Sequence, residues 1–240
     1  MSHAPSFKNS YADFGFYRSY RQLREAVGRR DAVLEDMRAL LEQVKIAERR
    51  MESVAGQPIK QMDILEIGPG QGMERATYFG RNNKITSLDT DIIPFGFEPA
   101  NYVRMLKANG FGRFAKTLGR EVVIGRRNRA AWKTLITADT LDRPQRLFGD
   151  ICDAVPAQNA FDCVMSWSVF EHVADPEQAL DHVLAALRPG GIFYISLHLY
   201  TCNNGHHDIR SFTSEKEEVP LWGHLRPSTQ HLIKPSAYLN

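Results

Sequence analysis

Residues 63–72, Asp-Ile-Leu-Glu-Ile-Gly-Pro-Gly-Gln-Gly, decide the fold of this chain. Ile64-Leu65-Glu66-Ile67 is a short apolar run of the kind that forms a strand inside a sheet. Three glycines follow, Gly68, Gly70 and Gly72, and a helical segment opens at Met73. A strand that ends in glycines and feeds a helix is how open α/β sheets build a nucleotide cleft. Glycine lets the backbone take positive φ and lets a ligand approach the main chain closely. An ordinary tight turn would use the same residues, so the flanking sequence has to discriminate.

Downstream, the helix of about residues 73–79 ends at Gly80, and Lys84-Ile85-Thr86-Ser87-Leu88-Asp89 reads as a second strand. Asp89 closes that strand, where an acid is placed to accept hydrogen bonds from ribose hydroxyls. The alternation then pauses over residues 92–145. This is far longer than the usual two to six residues of a sheet–helix connection. Helix-like pieces around 101–109 and 128–137 make it an insertion expected to pack over the cleft. Alternation resumes with Arg146-Leu147-Phe148, running into Gly149-Asp150-Ile151, and a fourth strand follows at Phe161–Ser166. Asp175 and Pro176 start a helix as cap and first position, with Gln178 able to complete a capping box. Its expected buried stripe is Leu180, Val183, Leu184 and Leu187. Pro189-Gly190-Gly191 ends it, and Ile192–Leu197 is a fifth strand apolar enough for a sheet interior.

Upstream, Val33, Met37, Leu40, Val44, Ala47 and Met51 form one helical stripe. Asp31 can cap that helix, and Gly56 and Pro58 stop it. Before it stand Tyr11, Phe14, Phe16, Tyr17, Tyr20 and several arginines, which suit either a lid or plain packing.

The chain has 240 residues, 43% hydrophobic and 24% charged, ample for one globular core. No apolar run approaches the roughly 18 residues of a membrane span. The first residues carry no apolar stretch of signal-peptide type. Cys152, Cys163 and Cys202 are odd in number and fit no metal spacing, and Cys163 reads as a small buried hydrophobe. These features predict a soluble cytoplasmic protein with reduced thiols. The net charge is only +2, yet Asp91–Leu147 holds 11 Lys/Arg against 5 Asp/Glu. Arg113, Lys116, Arg120, Arg126, Arg127 and Arg129 could meet an acidic small molecule or saccharide or a membrane surface, or simply form a solvated face. No nucleic-acid recognition motif is present.

Leu65-Glu66-Ile67-Gly68-Pro69-Gly70-Gln71-Gly72 resembles the first motif of class I S-adenosylmethionine-dependent methyltransferases. Phe161 through Gly191, with Glu171-His172-Val173, resembles their fourth strand, following helix and Pro-Gly-Gly turn. A dinucleotide fingerprint fits less well, because position 73 is Met rather than Gly. The resemblance implies a Rossmann-like, doubly wound, mostly parallel sheet between helical layers. It also implies S-adenosylmethionine as cofactor and S-adenosylhomocysteine as product, while the histidines show no regular ligand spacing and no metal is expected. By that resemblance Gly68, Pro69 and Gly70 touch the methionyl part, and Glu66 orders that site. Asp89, followed by Thr90, holds the ribose. Asp150 meets the adenine amino group and Ile151 a ring nitrogen, while Ser166 and Trp167 contact the methionyl moiety.

The expected organisation is a single methyltransferase domain over residues 1–240. It comprises an N-terminal lid and helix (1–58), a cofactor-binding core (59–200) carrying the insertion 92–145, and a polar tail (201–240). The expected reaction moves a methyl group to a small-molecule or glycan acceptor by in-line displacement. The family's two closing strands are not evident after the fifth, which keeps a cofactor-fold binding or scaffold protein as the alternative. Should the acceptor lose a proton, His206 or His207 is the candidate base. His172 resembles a position near the cofactor.

Overall fold

The computed structural model describes residues 32–92, 94–139, 141, 143–212 and 218–233. The aromatic N-terminal segment and Asp31 lie outside the described residues. The chain divides into two compact units. The larger runs through residues 23–167 and 175–195, and the smaller includes 168–174 and the residues from 196 onward.

The larger unit opens with helix α1 (Val33–Ala55), whose stripe Val33, Met37, Leu41, Val44, Ala47 and Met51 is buried. Gly56 ends it in the left-handed conformation, which releases the chain into the sheet. The order that follows is β1 (Asp63–Ile67), α2 (Glu74–Gly80), β2 (Lys84–Asp89), α3 (Pro99–Arg120), a π-helical turn Glu121–Gly125, α4 (Arg126–Leu135), β3 (Gln145–Phe148), β4 (Phe161–Trp167), α5 (Pro176–Ala186) and β5 (Leu187–Ser196). The sheet order is β3-β2-β1-β4-β5, and β1/β2, β1/β4 and β2/β3 pair in parallel. The order reverses between β1 and β4, so this is a doubly wound Rossmann-like sheet with its switch point beside β1.

The central strands are buried on both faces: Ile64, Leu65, Cys163, Val164 and Met165 are fully inaccessible. Each such aliphatic side chain stabilises the fold by about 1.5–3 kcal/mol. Cys163 is a core thiol as expected, and burial pushes its pKa up to about 12. Arg188 bridges Asp63 and Asp162 at 2.8 and 2.7 Å, tying β1 to β4 at their amino ends. A slip of one residue there would move every core side chain to the opposite face of the sheet.

The insertion is more helical than its sequence suggests, and bent. Gly110 breaks α3 with φ 77°. The expectation that it only covers the cleft is revised, because α4 packs along α1. Trp132 of α4 is buried and donates its indole N–H to Thr77 Oγ1 at 3.0 Å. α3 does reach the glycine turn, where Gln71 Nε2 donates to the Thr117 carbonyl at 3.4 Å. Helix α5 caps as expected, with the Gln178 N–H donating to Asp175 Oδ1 at 3.0 Å. Its buried face differs, however. Ala179, Val183 and Ala186 point inward, whereas Leu180 and Leu184 are exposed. The buried face is the one that carries the two alanines, and the two leucines fall outside it. β5 is likewise not an interior strand among the described residues. It stands at the sheet edge and is largely half-exposed.

Candidate functional site

Parallel register brings the expected cofactor residues to one edge of the larger unit. Ile67 pairs with Leu88 and with Ser166, and Asp89 pairs with Phe148. Gly68, Asp89, Gly149-Asp150 and Ser166-Trp167 therefore all stand at carboxyl ends of neighbouring strands. Ligands of open α/β sheets bind at this edge, beside the switch point. Gly68 and Gly70 have φ of 67° and 69°, which a side chain would strain. The Gly68 N–H donates to the Leu88 carbonyl at 2.8 Å and fixes the turn against β2. Asp89 Oδ1 accepts from the Asp91 N–H at 2.8 Å, and Asp150 Oδ1 from the Cys152 N–H at 2.9 Å. Both carboxylates are thus oriented by the loops that follow them. Thr90 is exposed beside Asp89, and Ile151 is buried. Its carbonyl is 2.6 Å from His182 Nδ1, so the imidazole donates there.

Behind the glycine turn lies an uncompensated acid. Glu66 is 1% exposed, Oε2 has no hydrogen-bond partner, and burial drives its pKa up to about 8, with nearby Arg75 opposing. The buried Ser166 hydroxyl is also unpartnered. Buried polar groups left without partners are rare and need an explanation. A ligand carrying a positive charge and hydrogen-bond donors would provide one. Arg75 itself stacks over the Trp167 ring at 5.0 Å, and Trp167 packs against Tyr194 at 5.3 Å. A shallow cleft lined by Gln61, Asp63, Arg81 and Lys84 is at the opposite, amino end of β1 and β2, away from these groups.

The basic insertion is less free than its charge count implies. Arg129 is held by the buried Glu121 and Arg146 by Glu98, the latter through bonds of 2.6 and 2.8 Å. Burial raises the Glu98 pKa, but hydrogen bonds from Arg146, Asn101 and the Phe95 N–H outweigh it and hold the carboxyl low. These ion pairs staple the insertion to β3 and to itself.

The smaller unit gathers the histidines. His206 is 1% exposed, and its Nδ1 accepts the Asp208 N–H at 2.9 Å. Its lone pair is therefore in use, which suits packing rather than proton abstraction. Asp208 is fully buried and paired with Arg210, whose Nη2 also donates to the Leu232 carbonyl at 2.7 Å. His207 is half-buried, with ring centroids 4.5 Å from His198 and 5.1 Å from His172. Burial first, then His198 and His206, lower the His207 pKa. His172 is pushed down to about 4, by burial and then by His207. Both rings are neutral at neutral pH. Glu171, His198 and His207 place one potential ligand atom each within 4.8 Å of one another.

A family model described as a methyltransferase domain matches residues 34–238. The chain belongs to the methyltransferase domain family. Among solved structures it is similar to an S-adenosylmethionine-dependent methyltransferase from Mesorhizobium loti, at 20% identity over 60% of this chain and 50% of that one, with TM-score 0.37. It is also similar to a Haemonchus contortus phosphoethanolamine N-methyltransferase in complex with S-adenosyl-L-methionine, at 17% identity over 65% and 28%, TM-score 0.40. A third is a putative S-adenosyl-L-methionine-dependent methyltransferase from Methanococcus maripaludis, at 16% over 81% and 66%, TM-score 0.42. The matched part spans about half the length of the first of these structures. No curated protein matches the chain in sequence.

In this methyltransferase domain Gly68, Asp89, Asp150 and Ser166 do stand at the strand ends that the sequence marks. Sequence reading overlooked Arg75, three positions after Gly72, whose helical phase alone could have aimed it at the turn. It also overlooked the Asp208–Arg210 pair and the approach of Glu171 to His198 and His207. No spacing rule connects those last three positions. Among the described residues, no helix is long and apolar enough to cross a membrane.

Proposed function

We propose that this methyltransferase domain binds S-adenosylmethionine along the carboxyl ends of β1 to β4 and transfers its methyl group to a small-molecule or glycan acceptor. The observation that carries the reading is the buried Glu66 carboxyl, with Oε2 unpartnered, behind a left-handed Gly68–Gly70 turn, with Asp89 and Asp150 at the ends of the next two strands on one side. Gly68, Pro69 and Gly70 give the methionyl part close backbone approach. Asp89 accepts from the ribose hydroxyls, with Thr90 beside it. Asp150 accepts from the adenine amino group, and the Ile151 backbone meets the ring. Ser166 and Trp167 line the methionyl end, and the Arg75–Trp167 stack holds that wall in place.

When bound, the donor supplies a methyl group already activated by its sulfonium. The chain's task is then alignment for in-line displacement, worth about 7–11 kcal/mol when reacting groups are well oriented. Glu66 offers negative charge to a cationic ligand, and ligand binding should draw its proton off. One insertion arginine, Arg129, is committed to the buried Glu121, so an acidic acceptor would have to be recognised by the remaining basic residues of α3 and α4, Arg126 among them.

Calorimetry with S-adenosylhomocysteine tests the first step, and micromolar binding is the expected result. Transfer of a radiolabelled methyl group to a panel of small hydroxylated, aminated and glycosylated acceptors tests the second. Binding without transfer to any acceptor would favour the scaffold reading, and no binding at all would end both.

A further inference from the structure

We propose that Glu171, His198 and His207 of the smaller unit form a binding site for one borderline divalent cation of the zinc type. The three donors come from the 3-10 turn Phe170–His172 and from the segment after β5, separated by 27 and 9 positions in sequence. Chain folding alone makes them neighbours, with ligand atoms within 4.8 Å of one another. Two nitrogens and a carboxylate oxygen are a donor set that suits Zn²⁺ and its first-row neighbours rather than Mg²⁺ or Ca²⁺.

Two further observations point to an ion. First, both Glu171 oxygens are buried without a hydrogen-bond partner of good geometry. The nearest donors, the backbone N–H groups of Glu171 and His198, only partly offset the burial that raises its pKa. A cation would satisfy that carboxylate directly, as buried charges require. Second, His198 is already presented as a ligand. Its Nε2 lies 2.7 Å from Asn204 Oδ1, an acceptor, so Nε2 carries the proton and Nδ1 keeps its lone pair. A ring nitrogen fixed by an outer acceptor is the usual support of a metal-bound histidine. Asn204 is itself held, since Oδ1 also accepts from Cys202 Sγ at 3.5 Å.

Donors bound to one ion at about 2.1 Å stand at most ~4.2 Å apart. Side chains that now stand within 4.8 Å therefore need draw in only slightly. Three protein ligands leave a fourth position for water or an oxygen-bearing molecule, the arrangement of open rather than closed zinc sites. In this assignment His207 binds through a ring nitrogen, which replaces its reading as a general base. The assignment is independent of the donor site in the larger unit.

The test is titration of the EDTA-treated full chain with Zn²⁺ against a chromophoric chelator, followed by Co²⁺ substitution. One ion per chain is expected, with visible Co²⁺ bands of nitrogen–oxygen coordination. Asn204→Ala should weaken binding by about 10- to 100-fold, and His198→Ala and His207→Ala should each weaken it more. S-adenosylhomocysteine affinity of each variant reports that the rest of the chain is folded. Absence of stoichiometric binding and of Co²⁺ bands in the wild-type chain overturns the proposal, whatever the variants do. Binding that survives His198→Ala together with His207→Ala, or equal affinity for Mg²⁺, overturns it as well.

Discussion

Two buried acids show how differently the two units of this protein use charge. Glu66, in the larger unit, is 1% exposed and leaves an oxygen unpartnered, with its pKa raised to about 8. Asp208, in the smaller unit, is fully buried and held by several bonds from Arg210. Desolvation opposes both, but only one is answered from within the chain. An acid answered by a neighbouring guanidinium is architecture. An acid left open near the end of a strand, beside a glycine turn, is what the proposed ligand would answer. Glu171 shares the open character of Glu66, although it lies in the same unit as Asp208.

The comparison breaks most decisively at Arg210. Arg210→Met should strip Asp208 of its partner and destabilise the protein by about 3–5 kcal/mol in urea unfolding. The affinity for S-adenosylhomocysteine of the protein that remains folded should stay within about twofold. A loss of affinity without a loss of stability would show that Asp208–Arg210 serves the ligand and is not architecture.

Glu66 predicts the opposite sign. Its folded pKa lies above its unfolded value, so the native state holds the proton more tightly. Stability is therefore fully present below pH 4.5 and falls as pH rises toward about 8. Glu66→Gln removes that dependence. It should leave the melting temperature unchanged near pH 4 and raise stability near pH 9 by on the order of 5 kcal/mol. A variant no more stable than wild type at the higher pH would mean that Arg75 already compensates the charge.

Asp89→Ala sharpens the ligand side of the contrast. Loss of charge-assisted hydrogen bonds to ribose should weaken S-adenosylhomocysteine binding by about 2–3 kcal/mol, a factor of ~30–150, at nearly unchanged stability. Calorimetry on the variant measures it, and an unchanged affinity would remove Asp89 from the site. Trp132→Phe is the smallest effect. It keeps most of the packing of α4 but deletes the bond to Thr77, so about 1 kcal/mol should be lost in urea unfolding. A larger loss would make the insertion a greater part of the core than its single buried indole suggests.

Legibility follows from how far apart in sequence the interacting groups are. Gly68, Gly70, Asp89 and Asp150 were readable because strand ends in a doubly wound sheet fall on one edge, and apolar runs mark where strands end. The outward turn of Leu180 and Leu184 was not readable, because a periodic stripe names two adjacent helical faces. Only tertiary packing, which buries Ala179, Val183 and Ala186, selects between them. The same holds for the insertion, whose arginines look like a docking face until Glu121 is found beneath Arg129, while its Glu98 is taken up by Arg146 of β3.

The sequence by itself determined the parallel α/β fold, the chain order of its first strands and the residues that stand at their carboxyl ends. Periodicity and glycine placement are local, and local rules suffice for them. Only the tertiary structure decided which acids are paired and which are open, and which histidines come together. Those outcomes depend on contacts such as Trp132 with Thr77 and His198 with His207, between groups on different elements, where burial rather than spacing sets the energy.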